Sequence, residues 1–127
     1  MKLYFISLLV AIGLISCNRP LSKVQYGEKS EKEAIADNVI GKVAYHLKTE
    51  KGLRPCGTIG QMLNEIQVLG LAFDYFRPVD VTEGRRLLIQ AVDAMLKEVN
   101  QDTRIHPYLS RNPFRPWNVE IQIFVHN

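Results

Sequence analysis

The apolar residues of this chain follow three patterns, and each pattern predicts a different kind of element. Residues 3–15 form one almost continuous apolar run. Two later stretches, 30–52 and 80–99, repeat apolar residues at steps of three and four, which is typical of amphipathic helices. Residues 69–75 and 119–125 alternate instead between apolar and other side chains, which indicates half-buried strands. We therefore expect the folded domain to begin near residue 30.

The first helical stretch carries signals for both of its ends. Ser30 and Glu33 have the spacing of a capping box, in which each side chain accepts a hydrogen bond from a free backbone N–H group at the helix start. Lys48 and Lys51 suit the negative end of the helix, and Gly52 is a natural stop. The stripe predicted to be buried consists of Ala36, Val39, Ile40, Val43 and Leu47.

The second helical stretch has the same capping spacing, here between Asp80 and Glu83. Its predicted buried stripe consists of Leu88, Ala91, Val92, Met95, Leu96 and Val99. The residues predicted to face water are Arg85, Arg86, Gln90, Asp93 and Lys97. This division predicts a helix that covers one side of a small core.

The segments outside the two helical stretches contain proline and glycine, which usually interrupt regular structure. Residues 53–61 contain one proline and two glycines and are predicted to form a loop. The apolar segment 62–76 is predicted to be a strand. Its alternating apolar residues are even-numbered up to Val68 and odd-numbered from Leu69, so we expect a bulge around Val68–Gly70 to keep them on one face. Residues 101–118 contain three prolines and are predicted to form a long loop before the last strand.

The order helix, strand, helix, long loop, strand predicts an α+β domain, with two amphipathic helices packed on one face of a small two- or three-stranded sheet. The long connection fits a parallel pair of strands joined by a right-handed crossover. Because two strands alone are marginally stable, either the segment before residue 30 or the long loop supplies a third strand, or an exposed sheet edge binds a partner.

The apolar run at the start has the features of a secretory signal, with Lys2 before it and the small Ser16 after it. It is too short for a stable membrane span, which needs about 20 residues. Its end, Leu14-Ile15-Ser16-Cys17, resembles the lipobox of bacterial lipoproteins. The resemblance implies cleavage before Cys17, a diacylglyceryl thioether on its sulfur and acylation of its new amino group. The alternative is an ordinary cleaved signal followed by a chance cysteine.

This leader divides the chain into a cleaved signal peptide at 1–16, a lipidated tether at 17–29 and a single small α+β domain at 30–127. In lipoproteins of enteric bacteria, Asp directly after the lipidated cysteine favours retention at the inner membrane. This chain has Asn18 at that position, so the resemblance favours an outer-membrane location. Residues 73–81, 85–88 and 106–124 are similar to small uncharacterised lipoproteins of Gram-negative bacteria. That similarity supports a place in the cell envelope and implies no activity.

Charge and composition narrow the partners of the exported domain. Removal of the first 16 of the 127 residues leaves 111 residues with 15 cations and 13 anions, a net charge of +2. This balance and the predicted export both argue against nucleic acid. The predicted membrane contact is the lipid on Cys17. Each methylene group that an acyl chain buries in the bilayer adds about 0.8 kcal/mol of membrane affinity, and two acyl chains anchor a protein stably.

The cysteines and histidines are weak candidates for chemistry. If Cys17 carries lipid, Cys56 is the only other thiol, and no internal disulfide can form. Cys56 invites a nucleophile hypothesis with His46 or His106 as the base, but no known cysteine-enzyme motif surrounds it. The three histidines have no metal-ligand spacing. We therefore predict no catalytic site, no metal, no cofactor and no small-molecule substrate.

The loop between residues 104 and 117 is the best candidate for a binding surface. Arginines interleaved with aromatic rings and prolines are favoured at protein interfaces. The candidate binding residues are Arg104, Tyr108, Arg111, Arg115 and Trp117. The alternative is that Tyr108, Phe114 and Trp117 close the end of the small core and leave the arginines solvated.

These features favour a lipid-anchored, non-enzymatic envelope protein whose domain binds another envelope protein or the cell wall. The alternative from another class is a small thiol-dependent enzyme or redox protein centred on Cys56. A third hypothesis is a carrier with an apolar ligand between sheet and helices, although a core of this size has little room for one.

Overall fold

The computed structural model describes residues 29–127, which form two helices and one three-stranded mixed sheet. The predicted signal peptide, the Cys17 lipidation site and the tether up to residue 28 lie outside the described residues. The elements in chain order are α1 (Glu31–Lys51), β1 (Arg54–Gln61), β2 (Val68–Tyr75), α2 (Val81–Gln101) and β3 (Val119–Val125), with short 3-10 turns at His106–Tyr108 and Pro116–Asn118 before β3.

The predicted first helix is confirmed at both ends. The Ser30 hydroxyl accepts a hydrogen bond of 3.3 Å from the backbone N–H of Glu33. Gly52 ends the helix with a φ of 71°, a left-handed conformation that favours glycine, and its N–H bonds to the Lys48 carbonyl at 3.2 Å. The buried residues of α1 are the five that the sequence pattern predicted: Ala36, Val39, Ile40, Val43 and Leu47.

The second helix is also confirmed, but its buried stripe differs from the prediction: Leu87 is buried in place of Leu88, and Val92 and Leu96 are only half-buried. Asp80 caps α2 by accepting the N–H of Glu83 at 2.8 Å. Leu87 is buried, whereas Leu88 is 38% exposed, so the prediction that Leu88 belongs to the core was wrong. The buried positions are Leu87, Ala91, Met95 and Val99. They follow one another at steps of four, and this spacing selects Leu87 from the apolar run at 87–89.

The segment predicted as a loop at 53–61 is instead the strand β1, and it supplies the third strand of the sheet. It pairs antiparallel with β2, with Thr58 opposite Leu71. Its register shifts between Pro55 and Gly57, which marks a bulge. Proline and glycine are tolerated because β1 lies at the edge of the sheet, where one side of the backbone needs no strand partner.

The predicted bulge around Val68–Gly70 was wrong, because β2 keeps one register with β3 from Leu69 to Tyr75 and one register with β1 from Val68 to Ala72. The strand also begins at Val68 and not at residue 62. Ile66 lies just before it and forms a separate parallel bridge with Leu109, through an N–H bond of 2.7 Å to the Tyr108 carbonyl. The long loop therefore extends the sheet by one bridge ahead of β3.

The predicted parallel pair is confirmed, since β3 runs parallel to β2 from Leu69–Val119 to Tyr75–Val125. The two strands lie very close at Gly70, where an added Cβ would meet the backbone oxygen of Glu120 at 2.1 Å. Only a residue without a side chain fits there, so this glycine is required by the β2–β3 approach.

One apolar cluster joins the helices, the strand β2 and the long loop. Both helices contribute their buried residues to it, together with the alternate β2 residues Leu69, Leu71, Phe73 and Tyr75. Ile105, Leu109 and Phe114 of the long loop belong to the same cluster. Within residues 29–127, no helix is long and apolar enough to cross a membrane.

Candidate functional site

Arg104, the first of the predicted binding residues, ties the long loop to α1. Its guanidinium donates to both carboxylate oxygens of Asp102, at 3.1 and 2.7 Å, and to the Asn38 side-chain oxygen at 2.9 Å. These hydrogen bonds hold the pKa of Asp102 below its usual value, because they stabilise the charged carboxylate. Arg104 thus has structural partners on two elements.

Tyr108 makes a second connection between the loop and α1. Its hydroxyl donates to the Glu31 carboxylate at 3.1 Å, in the first turn of the helix. This bond raises the pKa of Tyr108, because it stabilises the protonated hydroxyl beside a negative charge. The ring is half-buried and packs against the apolar core.

The loop is held from inside by Asn100 of α2. The Asn100 side chain accepts the Phe114 N–H at 2.7 Å and donates to the Phe114 carbonyl at 3.1 Å. Phe114 itself is buried and helps to close the core. The alternative interpretation of the loop is therefore right for Phe114 and partly right for Tyr108. It is wrong for Trp117, which is 67% exposed.

Three of the five predicted binding residues remain on the surface and, within residues 29–127, have no such internal side-chain anchors. Arg111, Arg115 and Trp117 are all exposed, and we call them the Arg–Trp patch. The Arg111 guanidinium lies 5.6 Å from the centroid of the Trp117 ring, within the range of a cation–π contact. The backbone N–H of Arg115 donates to the buried Asn118 side chain at 3.0 Å, which fixes the chain beneath the patch.

The opposite end of the sheet carries a second polar cluster that the sequence pattern did not predict. His126 bonds to the Asp74 carboxylate at 2.8 Å and stacks on Phe76 with a centroid distance of 4.8 Å. Arg54 lies 5.3 Å from the centroid of Phe76. Parallel pairing places Val125 opposite Tyr75, so that the His126 N–H reaches the Tyr75 carbonyl at 2.8 Å.

Cys56 lies on the β1 bulge close to Asp74 and is exposed. Partial desolvation raises the pKa of its thiol, and the charge and hydrogen bond of Asp74 raise it further. A raised pKa lowers the fraction of thiolate, which is the nucleophilic form. The surroundings of Cys56 therefore favour an unreactive thiol.

The two histidines considered as bases for Cys56 have other partners. His46 pairs with Glu50 on α1 at 3.2 Å, and the His106 ring lies 3.0 Å from the Asn100 carbonyl. Among the described residues, no group of three His, Cys, Asp or Glu side chains could hold a metal ion.

An apolar groove of about 350 Å³ follows the outer edge of β3, between this strand and α2. Its apolar lining comprises Val79, Leu87, Leu88, Ile121, Ile123, Phe124 and Val125. Leu88, Phe124 and Val125 are exposed there. The sequence signal that could have revealed the groove is the surplus of apolar residues at 87–89 and 123–125, more than one buried face accepts.

Comparisons of the chain with protein-family models, with curated protein sequences and with solved structures found no significant match. Functional conclusions for this chain therefore depend on the geometry of its own residues.

Proposed function

We propose that this chain is a lipid-anchored, non-enzymatic protein of the cell envelope whose small α+β domain binds another envelope protein or the cell wall. The observation that carries the proposal is the Arg–Trp patch, in which Trp117 is 67% exposed beside Arg111. Tryptophan and arginine are the residues most enriched among interface anchors. In this proposal both helices cover one face of the sheet, which their shared apolar cluster supports.

The patch is suited to binding because its loop is held on several sides. Arg104 and Tyr108 fasten the loop to α1, and Asn100 holds the backbone of Phe114 from α2. A surface that is already ordered loses less conformational entropy when a partner binds. Arg104 and Tyr108 therefore support the site by positioning the loop, and Arg111, Arg115 and Trp117 provide its contact surface.

The position in the envelope follows from the proposed lipid on Cys17. The acyl chains insert into a membrane, outer in preference to inner, and the tether at 17–29 connects them to the domain. Mass spectrometry of the mature amino terminus from the native host tests this part of the proposal. A mass increase on Cys17 that matches a diacylglyceryl group supports it, and an unmodified Cys17 contradicts it.

The thiol-dependent alternative receives less support from the geometry. Asp74 is a negative neighbour of Cys56, and a thiolate needs a positive one or a base. Replacement of Cys56 by serine separates the two functions. We expect the Cys56→Ser variant to keep the wild-type phenotype, and a loss of function with an intact fold would favour the thiol chemistry.

Crosslinking in intact cells tests the patch directly. Reversal of two charges in Arg111→Glu/Arg115→Glu, or the single change Trp117→Ala, should reduce the crosslinked partner at least tenfold, because a central anchor is commonly worth about 2 kcal/mol or more. The matched control is Arg85→Glu/Arg86→Glu, which makes the same charge change at two exposed positions of α2.

The control variant should retain the partner, and the far-UV spectrum of every variant should match that of the wild type. Recovery of one specific protein identifies a protein partner. Binding to isolated cell-wall polymer that depends on Arg111, Arg115 and Trp117 identifies the wall. Equal recovery with patch and control variants would contradict the proposal.

A further inference from the structure

The outer edge of β3 presents unpaired backbone groups. In a parallel pair, alternate residues direct both their N–H and C=O groups to the neighbouring strand. The His126 N–H bonds to the Tyr75 carbonyl of β2, so the odd-numbered residues Ile121, Ile123 and Val125 direct theirs outward. In the described part of the chain these outward groups have no backbone partner. Such an edge is a template for another strand.

The two edges of the sheet differ in how they are protected. The β1 edge contains Pro55, a bulge between Pro55 and Gly57, and Arg54 at its start, all of which discourage strand pairing. The β3 edge keeps a regular register over its seven residues and contains neither proline nor lysine. This asymmetry indicates that the β3 edge is normally covered.

The side chains along the β3 edge are apolar as well. Val125 is 42% exposed and lies in the same groove as the exposed Leu88 of α2, and Phe124 is 50% exposed on the other face of the strand. Exposed apolar residues that cluster in this way mark an interaction surface. Both the unpaired backbone groups of β3 and the exposed apolar side chains beside them therefore favour binding of a partner at this edge.

The β3 sequence VEIQIFV is complementary to itself when read in the opposite direction. With a two-fold axis at Gln122, Val119 lies opposite Val125, and Ile121 lies opposite Ile123. The same axis places Glu120, the one charged residue of the strand, opposite Phe124 and not opposite its own copy. Apolar pairs directly across two strands stabilise them, and like charges would oppose pairing. A two-fold interface requires this kind of self-complementary surface.

We propose that β3 binds β3 of a second copy of this chain, antiparallel about a two-fold axis at Gln122, to form a six-stranded sheet. This register pairs all seven residues of the strand and keeps Ile121, Ile123 and Val125 on the groove side in both copies. A shift by one residue would turn the two groove sides to opposite faces of the joined sheet. The proposal does not depend on the Arg–Trp patch.

A cysteine at the axis tests the register in the full-length protein in native membranes. In the proposed ladder Gln122 faces its own copy at a non-hydrogen-bonded site, where the Cα atoms are about 4.5 Å apart and a disulfide can form. In a Cys56→Ser background, we expect Gln122→Cys to give a disulfide-linked dimer on mild oxidation. The matched control is Glu120→Cys on the same strand face, whose two copies would be about 13 Å apart.

We expect at least tenfold more covalent dimer from Gln122→Cys than from Glu120→Cys. Co-expressed Glu120→Cys and Phe124→Cys chains should crosslink to each other. Val125→Lys, which puts a cation opposite Val119 of the second copy, should suppress the Gln122→Cys crosslink while far-UV spectrum and unfolding midpoint stay near the wild type. Equal yields at 120 and 122 would overturn the proposal. A Gln122→Cys chain that stays monomeric would also overturn the proposal, and would show that an apolar ligand, the tether or another protein covers the edge.

Discussion

At the scale of single residues, the approach of β2 to β3 depends on Gly70. A methyl group at this position would overlap the backbone oxygen of Glu120 in β3, so the strands would have to separate. We expect Gly70→Ala to lower the free energy of unfolding by about 1–3 kcal/mol, the usual cost of overpacking. Urea denaturation followed by circular dichroism measures this.

Gly41 provides the matched control for Gly70. It lies within α1, and no atom of the described residues beyond the surrounding helix turn lies within 4 Å of the position that an added Cβ would take. Because alanine is the better helix former, Gly41→Ala should raise the free energy of unfolding by about 1 kcal/mol. The same effect from both substitutions would show that the contact between Gly70 and Glu120 is not tight.

The Asp102–Arg104 pair predicts how stability depends on pH. Because Arg104 lowers the pKa of Asp102, the folded state gains stability above the unfolded pKa of about 3.9 and loses it as pH falls through the lower folded value. We expect Arg104→Gln to be less stable than wild type near neutral pH, with the difference shrinking below about pH 4. Urea midpoints measured from about pH 7 to about pH 2 test this.

The Asp102→Asn variant is the control for that experiment. It removes the titrating carboxylate, so the additional substitution Arg104→Gln should then have an effect that no longer varies with acid pH. A difference between wild type and Arg104→Gln that stays constant across the whole range would contradict the assigned role of the pair.

At the scale of elements, Leu87 and Leu88 decide which side of α2 faces the core. Leu87 is 6% exposed and Leu88 is 38% exposed, although the two residues are neighbours of the same type. We expect Leu87→Ala to cost about 2–5 kcal/mol, the range for truncating a buried leucine, and Leu88→Ala to cost less than about 1 kcal/mol. Unfolding midpoints of the two variants give the comparison, and equal losses would contradict the assigned helix face.

The elements also show which features the sequence could predict. The helix caps at Ser30 and Asp80 were predictable because a cap depends on residues within one turn. The strand β1 was not, because its one proline and two glycines are tolerated only at a sheet edge beside β2. The choice of Leu87 over Leu88 was open to prediction, because steps of four back from Val99, Met95 and Ala91 lead to Leu87.

The sequence indicated which residues belong to the candidate site, but it did not indicate the contacts that position them. Its composition pointed to the loop, yet Asn38 and Glu31, which fasten Arg104 and Tyr108 to α1, lie more than 60 residues earlier in the chain. Local spacing carries no information about contacts at such separations. For the same reason no local pattern indicated that His126 meets Asp74, because that contact follows from the parallel register of β3.

At the scale of the whole molecule, the shared apolar cluster predicts one cooperative unfolding transition. Trp117 is the only tryptophan and lies on the loop, whereas circular dichroism reports mainly on the two helices. Because Ile105, Leu109 and Phe114 attach the loop to the same cluster, we expect both signals to change at the same urea concentration. An earlier fluorescence transition would show that the loop unfolds separately.

In the lipid-anchored form that we propose, the bond between Tyr108 and Glu31 has a consequence for how far from the bilayer the domain can work. It holds the loop beside the start of α1, the point at which the tether joins the fold. If Cys17 carries the proposed lipid, the tether at 17–29 connects the membrane to the domain. A fully extended chain of that length spans at most about 45 Å. A partner of the loop must then present its surface within this radius of the membrane, which favours membrane-bound neighbours and nearby wall over molecules deep in the periplasm.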